Sequence, residues 1–461
     1  MQMKCDTIAA IATAAGAGAI SIVRVSGPDS LRIADQILRC SGAPPSQRAG
    51  NTFVHGIVES RAGDGVARRH VDEVIMLVYR APHSYTREDV VEFQGHGGRE
   101  SARRILNMVL DAGARLAEPG EFTKRAFLSG RIDLLQAEAI MDLIGAQSER
   151  AASAAMEQLE GRLSCFCGRI YDDTVMSAAD LEALLDFPDE EFPAGLLDQA
   201  SVRLKTVAEH ITEILGTWSE GRILREGALV VISGKTNVGK STLMNCMLGM
   251  DRAIVSPTPG TTRDFIEETL VLGGIPVRLV DTAGMRDTDC TIEREGMRRA
   301  RAYTDRADLR LHMLDASQPL DAHDREMLAE LDPLKAILIL NKTDAGHALS
   351  QNDFPGCTCV ECSLIMGKGL EVLRNGILDK MRVGNDPAPR AVISERHRQL
   401  MQRGLDGVLV AAELLSRHHE AGMVEAVESL RGSMEALGEL TGRVHYDDLL
   451  TSVFSRFCIG K

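Results

Sequence analysis

The sequence is poor in aromatic residues and has no excess of basic ones. Only 4% of its 461 residues are Phe, Trp or Tyr, with a single tryptophan, so a broad aromatic platform for stacking single-stranded nucleic acid is not expected. The net charge is −14, whereas chains that coat nucleic acid are usually basic. RNA contact therefore requires a local patch or a basic partner. The densest basic run, residues 294–310, has the spacing of a solvated helix face.

Long apolar runs and a regular cysteine pattern are also missing. No run reaches the roughly 18 apolar residues of a membrane span. Residues 8–20 have the length of a signal-peptide core, but Asp6 precedes them and the strand-like SIVRVSG follows, which disfavours a signal peptide. The 10 cysteines are irregularly spaced, as expected of reduced thiols in a cytoplasmic protein without membrane contact. Cys357, Cys359 and Cys362 leave zinc open as a disfavoured alternative, because no second Cys/His pair lies nearby.

The apolar patterning predicts a multidomain α/β protein. Short strand-like runs alternate with helices up to residue 120, which indicates an α+β domain. Helical spacing then prevails over 121–226 and returns over 384–461, so these segments are predicted to form one all-α domain in two parts. Residues 227–383 alternate strand and helix, which predicts an inserted, Ras-like, doubly wound P-loop domain.

Residues 234–241, GKTNVGKS, satisfy the P-loop pattern and lie between an apolar strand and a helix. Backbone amides of such a loop cradle phosphates, Lys240 reaches the β- and γ-phosphates, and the Ser241 hydroxyl binds Mg²⁺. Downstream, DTAG (281–284) ends one strand and NKTD (341–344) ends another. The carboxylate of Asp344 can accept two hydrogen bonds from guanine, which adenine cannot supply. Three motifs in this order predict a GTP-binding domain that requires Mg²⁺.

The loop SPTPGTTRD (256–264) lies where a threonine completes the Mg²⁺ coordination when the γ-phosphate is present, and Thr262 is the predicted ligand. Many small GTPases have a catalytic glutamine directly after DxxG, but this chain has Met285 there. A thioether cannot orient water, so another group must supply that polarity. Asn237 and the carboxylates of Asp287, Asp289, Glu293 and Glu295 remain open as candidates.

The motif order within a split helical domain, together with the terminal CIGK (458–461), closely resembles the MnmE (TrmE) family of tRNA-modification GTPases. DTIAAIAT, IVRVSG, HSYTREDVVEFQGHGG and PGEFTKRAFLSGRIDLLQAEAIMDLI carry the resemblance into the N-terminal half. The resemblance covers essentially the whole chain. The nucleotide-binding residues expected from the motifs and the resemblance are Asn237, Val238, Gly239, Lys240, Ser241, Thr242, Ser256, Pro257, Thr258, Pro259, Gly260, Thr261, Thr262, Asp281, Thr282, Ala283, Gly284, Asn341, Lys342, Asp344 and Ser363.

The resemblance implies a K⁺-activated GTPase. The matching K⁺ ligands are Asn237, Ser256, Thr258 and Thr261, and Glu293 matches the family's water-orienting glutamate, so Glu293, Lys240 and Asn237 are the expected catalytic residues. A cation between the β- and γ-phosphates replaces an arginine finger. This expectation also accounts for Met285.

The resemblance also implies a homodimer whose N-terminal domain, residues 1–120, binds a tetrahydrofolate derivative (the 5,10-methylene or 5-formyl form). The matching folate residues are Arg24, Glu92, Arg131 and Lys461, and Cys458 matches a thiol that the family has near the one-carbon site. An FAD-containing MnmG (GidA)-like partner is expected, in a heterotetramer or larger complex that modifies C5 of the wobble uridine. With so acidic a chain, tRNA contact is expected mainly through that complex.

Three positions depart from the family pattern. Residues 14–19 read AAGAGA where the family has PPGRGG, Arg131 replaces a frequent lysine, and the guanine loop reads Ser363-Leu364-Ile365 rather than Ser-Ala. Two alternatives remain open. One is a regulatory or ribosome-assembly GTPase that binds RNA without modifying it, and the other is a folate-binding scaffold with a degenerate G domain. The N-terminal strings and the CIGK tail favour the modification enzyme over the first, and the intact motifs disfavour the second.

Overall fold

The chain was analysed as a computed structural model that describes residues 6–59, 69–187, 189, 195–250, 267–281, 301–381, 393–416 and 420–461. The described residues belong to two compact units. The first is drawn from Met1–Met141, Gly161–Val175 and Arg431–Lys461, and the second from Asp142–Glu160 and Met176–Leu430. The domain boundaries expected from the sequence stay a prediction.

The first unit is built on a seven-stranded sheet in the order β3-β4-β5-β6-β2-β1-β7. Its strands are β1 (Ile8–Ile11), β2 (Ile20–Ser26), β3 (Leu38–Cys40), β4 (Thr52–Glu59), β5 (His70–Tyr79), β6 (Val90–His96) and β7 (Arg115–Leu116). All neighbours are antiparallel except β1 and β7. Helices α1 (Ser30–Ile37) and α2 (Arg99–Asp111) cover one face, where Val25, Met76 and Phe93 pack against Ile33 and Ile105.

Alternation along β4 and β5 leaves the other face of the sheet open at these strands, whereas Ile8 and Ala10 of β1 pack there against Phe122 of α3. In β5 the buried residues Val74, Met76 and Val78 alternate with Ile75, which is 46% exposed. Phe53 of β4 is 69% exposed. The open face is therefore partly apolar as well as accessible.

The C-terminal tail packs on α3 (Glu121–Leu128) within the first unit. The backbone N–H of Phe122 donates to the Lys461 carbonyl at 3.2 Å, and the rings of Phe127 and Phe454 lie 6.3 Å apart. Gly460 has a φ of 101°, and a Cβ there would clash with the Ile11 carbonyl. The tail is thus fitted against both α3 and the end of β1.

The remaining helices are predominantly long and amphipathic. They are α4 (Leu134–Gly145), α5 (Glu149–Leu159), α6 (Arg162–Asp186), α7 (Leu196–Gly216), α8 (Trp218–Glu226), α9 (Lys240–Met250), α10 (Ala322–Ala329), α11 (Leu370–Met381), α12 (Glu395–Leu415), α13 (Glu420–Thr441) and α14 (Asp447–Phe454). Residues 301–306 are also helical. No helix of the described ranges is both long and apolar enough to cross a membrane.

The second unit contains a six-stranded sheet in the order β13-β12-β11-β8-β10-β9. Its strands are β8 (Ala228–Gly234), β9 (Glu267–Leu272), β10 (Ile275–Asp281), β11 (Leu309–Asp315), β12 (Ala336–Asn341) and β13 (Thr358–Glu361). All pairs are parallel except β9 with β10. The central strands are near-continuous apolar runs because both faces are covered, and their carboxyl ends meet at one edge. The fold class expected from the sequence is confirmed.

Two local expectations need correction. The basic run 294–310 was predicted to form one solvated helix face, but its last residue, Arg310, lies in β11 with its Nε donating to Ser233 Oγ at 2.9 Å. Only 301–306 of that run are helical, and 294–300 lie outside the described residues. The short strands β3 and β7 were not predicted, because runs of 3 and 2 residues carry no periodicity.

Candidate active site

The P-loop connects β8 to α9 at the carboxyl edge of the second sheet. Its strand is apolar and buried, and α9 begins at Lys240, so the helix N-terminus and the loop amides point to the same place. Lys240 is only 5% exposed, and its Nζ donates to the carbonyl oxygens of Gly234, at 3.0 Å, and Lys235. The ammonium group is therefore held over the loop in a position suited to phosphate.

Of the two expected Mg²⁺ ligands, Ser241 lies beside this loop next to the Asp281 carboxylate, and Thr262 lies outside the described residues. Ser241 Oγ donates to Asp281 Oδ2 at 3.3 Å, across the first turn of α9 and the end of β10. Hydroxyl and carboxylate oxygens are the ligands that Mg²⁺ prefers. The donor set at this edge fits the ion. Thr242, the next residue of the motif, is exposed on α9.

The guanine motif is tied to the P-loop by a buried amide. Asn341 is 4% exposed; its Nδ2 donates to the Val238 carbonyl at 2.8 Å, and its Oδ1 accepts from the N–H of Leu364 at 3.2 Å. The hydroxyl of Ser363 donates to Asp344 Oδ1. Asn341 and Val238 are 103 positions apart in the sequence, but the parallel strands β8 and β12 bring their carboxyl ends to the same edge of the sheet. The altered Ser363-Leu364 loop keeps the backbone bond to Asn341.

Lys342 lies across a small polar cavity from the P-loop. The cavity has a volume of 180 Å³, and Asn237, Val238, Asp315 and Lys342 contribute to its lining. Lys342 Nζ donates to Asp315 Oδ2 at 2.7 Å. Burial raises the pKa of Asp315, but the hydrogen bonds from Lys342 and Ser317 and the charge of Lys342 together outweigh it, so the net pKa lies below the usual range. Asp315 is thus ionised and holds Lys342 in place.

A further pair near the P-loop was missed by sequence reasoning. Lys235 Nζ binds Asp324 Oδ2 at 2.7 Å and also the carboxylate of Asp321, which caps α10. These contacts fix the start of the loop to a helix almost ninety positions away. The sequence does not predict this contact, because a lysine inside a P-loop motif and an acidic residue at a helix N-terminus are both common and neither indicates the other as its partner.

The first unit has a larger cavity on the open side of its sheet, with a volume of 660 Å³. Arg24, Glu92 and Arg131, which are 107 positions apart at the extremes, all line it. Arg24 Nε donates to Glu92 Oε1 at 2.7 Å, because β2 and β6 pair in a register that sets these two residues opposite each other. Lys461 is not among the lining residues, although its carbonyl binds Phe122.

Tyr85 lines this cavity and contacts two of its arginines. The guanidinium carbons of Arg24 and Arg131 lie 5.4 and 4.8 Å from the centre of its ring, and its hydroxyl is 2.9 Å from Thr123 Oγ1. Burial, and then the charge of Glu92, raises the pKa of the neighbouring Tyr79. Sequence reasoning missed Tyr85, because one tyrosine in a loop carries no motif of its own.

The segment that carries Tyr85 is anchored by a buried arginine. Arg125 binds Glu88 at 3.0 Å, Asp6 at 2.6 Å and Glu121 at 3.1 Å. Burial by itself lowers the pKa of Arg125, but the three carboxylates together raise it by more. The net pKa therefore lies above the usual value, and the guanidinium group remains charged. The cavity wall is therefore attached to α3 by a charged network.

The comparisons with known proteins show which family this chain belongs to. Residues 7–131 match the model described as GTP-binding protein TrmE N-terminus, and residues 134–458 match that of the MnmE helical domain. The tRNA modification GTPases MnmE of Geotalea uraniireducens and Geobacter sulfurreducens are 41% and 43% identical over 99% of both chains. This chain belongs to the MnmE (TrmE) family.

Among solved structures, the G domain of the FeoB iron transporter of T. maritima is 25% identical, covering 34% of this chain and 99% of that one at a TM-score of 0.27. So low a score carries no further conclusion.

Several positions expected from the MnmE resemblance lie outside the described residues. They are Ser256, Pro257, Thr258, Pro259, Gly260, Thr261, Thr262, Thr282, Ala283, Gly284 and Glu293. Cys458, by contrast, is described and exposed, and its carbonyl accepts from the N–H of Gly120 at 3.4 Å. The thiol therefore lies on the tail that packs against α3.

The C-x-C-x-x-C segment does not form a ligand cluster. Cys362 is fully buried, and burial raises the pKa of its thiol to about 11. Throughout the parts of the chain that the structure describes, no three His, Cys, Asp or Glu side chains are grouped so as to hold a metal ion. These thiols belong to β13 and its flanks.

Proposed function

We propose that this chain hydrolyses GTP to GDP and phosphate and acts in tRNA modification. The observation that carries the proposal is the P-loop with Lys240 and Ser241 beside Asp281, in a chain that is about two-fifths identical to MnmE proteins along its whole length. Lys240 binds the β- and γ-phosphates, Ser241 and Thr262 hold Mg²⁺, and Asp344 selects guanine. Membership of the family favours modification over a purely regulatory or ribosome-assembly role.

The finer proposal is that K⁺ activates hydrolysis. Asn237, Ser256, Thr258 and Thr261 are its ligands, and Glu293 orients the attacking water through a second water molecule. Bound K⁺ supplies positive charge next to the β- and γ-phosphates, in place of an arginine finger. Asn237 supports this role, because its backbone is left-handed with a φ of 64° and it lines the 180 Å³ cavity beside the phosphate loop.

We further propose that the 660 Å³ cavity binds a tetrahydrofolate derivative, in the 5,10-methylene or 5-formyl form. Its volume suits a ligand of that size. The pterin ring presents adjacent N–H donors, for which the carboxylate of Glu92 is the fitting acceptor, while Arg24 holds that carboxylate in place at 2.7 Å. Arg131 lines the same cavity, and Lys461 and Cys458, which lie on the tail that packs on α3, are proposed to contact the ligand as well.

The proposed assembly is a homodimer that works with an FAD-containing MnmG (GidA)-like protein in a heterotetramer or larger complex in the cytoplasm. The open face of the first sheet supports dimerisation, because Phe53 and Ile75 are exposed on adjacent strands. With a net charge of −14, the chain is proposed to meet tRNA mainly through the complex. The product is a carboxymethylaminomethyl or aminomethyl group at C5 of the wobble uridine.

The decisive test of K⁺ activation is the GTP hydrolysis rate in KCl and in NaCl at equal ionic strength. We expect strong stimulation in KCl that is lost in both Asn237→Ala and Asn237→Gly. The glycine variant accepts a φ of 64° without strain, so it separates loss of the side chain from distortion of the loop. Equal rates in the two salts, or full stimulation in Asn237→Gly, would refute the K⁺ site while leaving the GTPase itself intact.

The test of the modification role is mass spectrometry of wobble uridines from a strain that lacks the gene. We expect the C5-modified nucleoside to disappear and to return when the wild-type gene is supplied. Persistence of the nucleoside would favour the alternative, a regulatory or ribosome-assembly GTPase that binds RNA without modifying it.

A further inference from the structure

Left-handed backbone at residues other than glycine marks both cavities. In the described parts of the chain, four such residues occur: Asn51, Arg87, Asn237 and Lys342, with φ between 58° and 65°. Asn237 and Lys342 line the cavity beside the P-loop, and Asn51 and Arg87 line the 660 Å³ cavity. This conformation is strained for a residue with a Cβ, so it persists where the surroundings enforce it, often at binding sites. Arg87 is therefore a candidate ligand-binding residue, as Asn237 is.

Arg87 and Arg131 lie together at one end of the cavity. Arg87 NH1 donates to the Ser129 carbonyl at 2.9 Å, and Arg131 NH1 donates to the Tyr85 carbonyl at 2.8 Å. Each arginine thus binds the segment that carries the other. The guanidinium carbons of Arg131 and Arg24 both lie near the Tyr85 ring, at 4.8 and 5.4 Å from its centre, and of these two arginines Arg24 is the one bonded to Glu92.

The two ends differ in charge. Arg24 is neutralised by Glu92 at 2.7 Å, whereas neither Arg87 nor Arg131 forms an ion pair with any residue that the structure describes. Each of the two guanidinium groups donates one N–H to a backbone carbonyl and retains further N–H donors. A cationic end that is open to solvent fits a carboxylate of the ligand, because arginine binds carboxylates through parallel N–H donors.

We propose that Arg87, supported by Arg131, binds the glutamate carboxylates of the ligand, so that the cavity selects pterins that carry a glutamyl tail over bare pterins. This inference rests on the proposed folate site and assigns a substrate-specificity residue to it. The pterin ring lies at the Glu92 end, and the tail leaves past Tyr85 towards Arg87.

The test compares three ligands on the full-length protein by calorimetric titration: 5-formyltetrahydrofolate, its triglutamate and 6-methyltetrahydropterin, which has no tail. We expect Arg87→Gln to weaken both tailed ligands by about tenfold, the loss of one charge-assisted contact near solvent, and to leave the tailless pterin unchanged. Arg87→Lys is expected to recover part of the loss. Arg103→Gln, which removes an exposed arginine on α2 that pairs with Glu100, is the matched control.

The outcomes separate this inference from the folate proposal. Equal weakening of all three ligands by Arg87→Gln would assign Arg87 a structural role and overturn the inference, as would unchanged affinity for the tailed ligands. If the wild-type protein binds none of the three, the folate site fails and the inference fails with it. If it binds all three equally tightly, the folate site stands and only the selection of a tail is wrong.

Discussion

Replacing Asn341 by alanine tests whether the nucleotide-free protein already has an assembled site. This side chain is the direct bridge between the P-loop and the guanine loop, through Val238 O at 2.8 Å and Leu364 N at 3.2 Å. Both bonds are buried. The alanine variant removes them and leaves a buried carbonyl and a buried N–H group without their partner.

The expected cost follows from these two groups. A buried polar group left unpaired costs about 1–3 kcal/mol, so Asn341→Ala is expected to destabilise the nucleotide-free protein by about 2–6 kcal/mol. For domains of about this size, each kcal/mol lowers Tm by roughly 2–4 °C. We therefore expect the G-domain transition to fall by about 4–24 °C.

The assay is thermal unfolding without nucleotide, followed by titration with a fluorescent GDP analogue. The control is Asn352→Ala, which removes an exposed asparagine from the same domain and is expected to change stability by less than about 0.5 kcal/mol. An unchanged nucleotide-free Tm together with weaker GDP binding would refute the argument, because Asn341 would then act only through the bound base.

Three further predictions concern buried groups. Gly239→Ala is expected to weaken nucleotide binding about tenfold or more in the same titration, because φ is 108° at this residue and the new Cβ would lie 2.5 Å from Asn341 Nδ2. Wild-type affinity in this variant would contradict the prediction. Arg125→Met is expected to cost about 1–3 kcal/mol in urea unfolding, because the half-buried Glu88 loses its arginine while Asp6 and Glu121 keep only Arg115, and the exposed Arg103→Met should cost nothing measurable. Burial, reinforced by Arg310, lowers the pKa of His312 to about 4. As the pH falls from about 6.5 to 4, His312 therefore binds a proton in the unfolded chain but not in the folded one. The free energy of unfolding decreases over this range by up to roughly 3 kcal/mol. His312→Asn should remove this dependence and flatten the profile of stability against pH.

Most of the nucleotide site was predictable because its signals are local. GKTNVGKS lies between a buried strand and a helix, and DTAG and NKTD each begin at the last residue of a strand. Parallel strands present those ends at one edge, so three separate strings predicted one site. The bridge from Asn341 to Val238 and the pairing of Lys235 with Asp324 were not predictable, since they depend on which helix and loop pack beside the strands.

The cavity of the first unit was predictable only through the family resemblance. Arg24 and Glu92 meet because β2 pairs with β6 in a particular register, and a shift of one residue would turn one of them to the other face. Tyr85 and Arg87 lie in a loop without periodicity. Their contribution to the cavity follows from the bonds that tie this loop to the 129–131 turn.

The sequence by itself determined the order of strands and helices, the phosphate loop and the guanine motif, because each depends on residues a few positions apart. Tertiary structure alone decided which distant side chains share a cavity, which arginines remain without a carboxylate partner, and which residues other than glycine adopt left-handed backbone. The physical reason is that backbone periodicity is a local property, whereas charge pairing and cavity shape arise from the packing of segments that are remote in the chain.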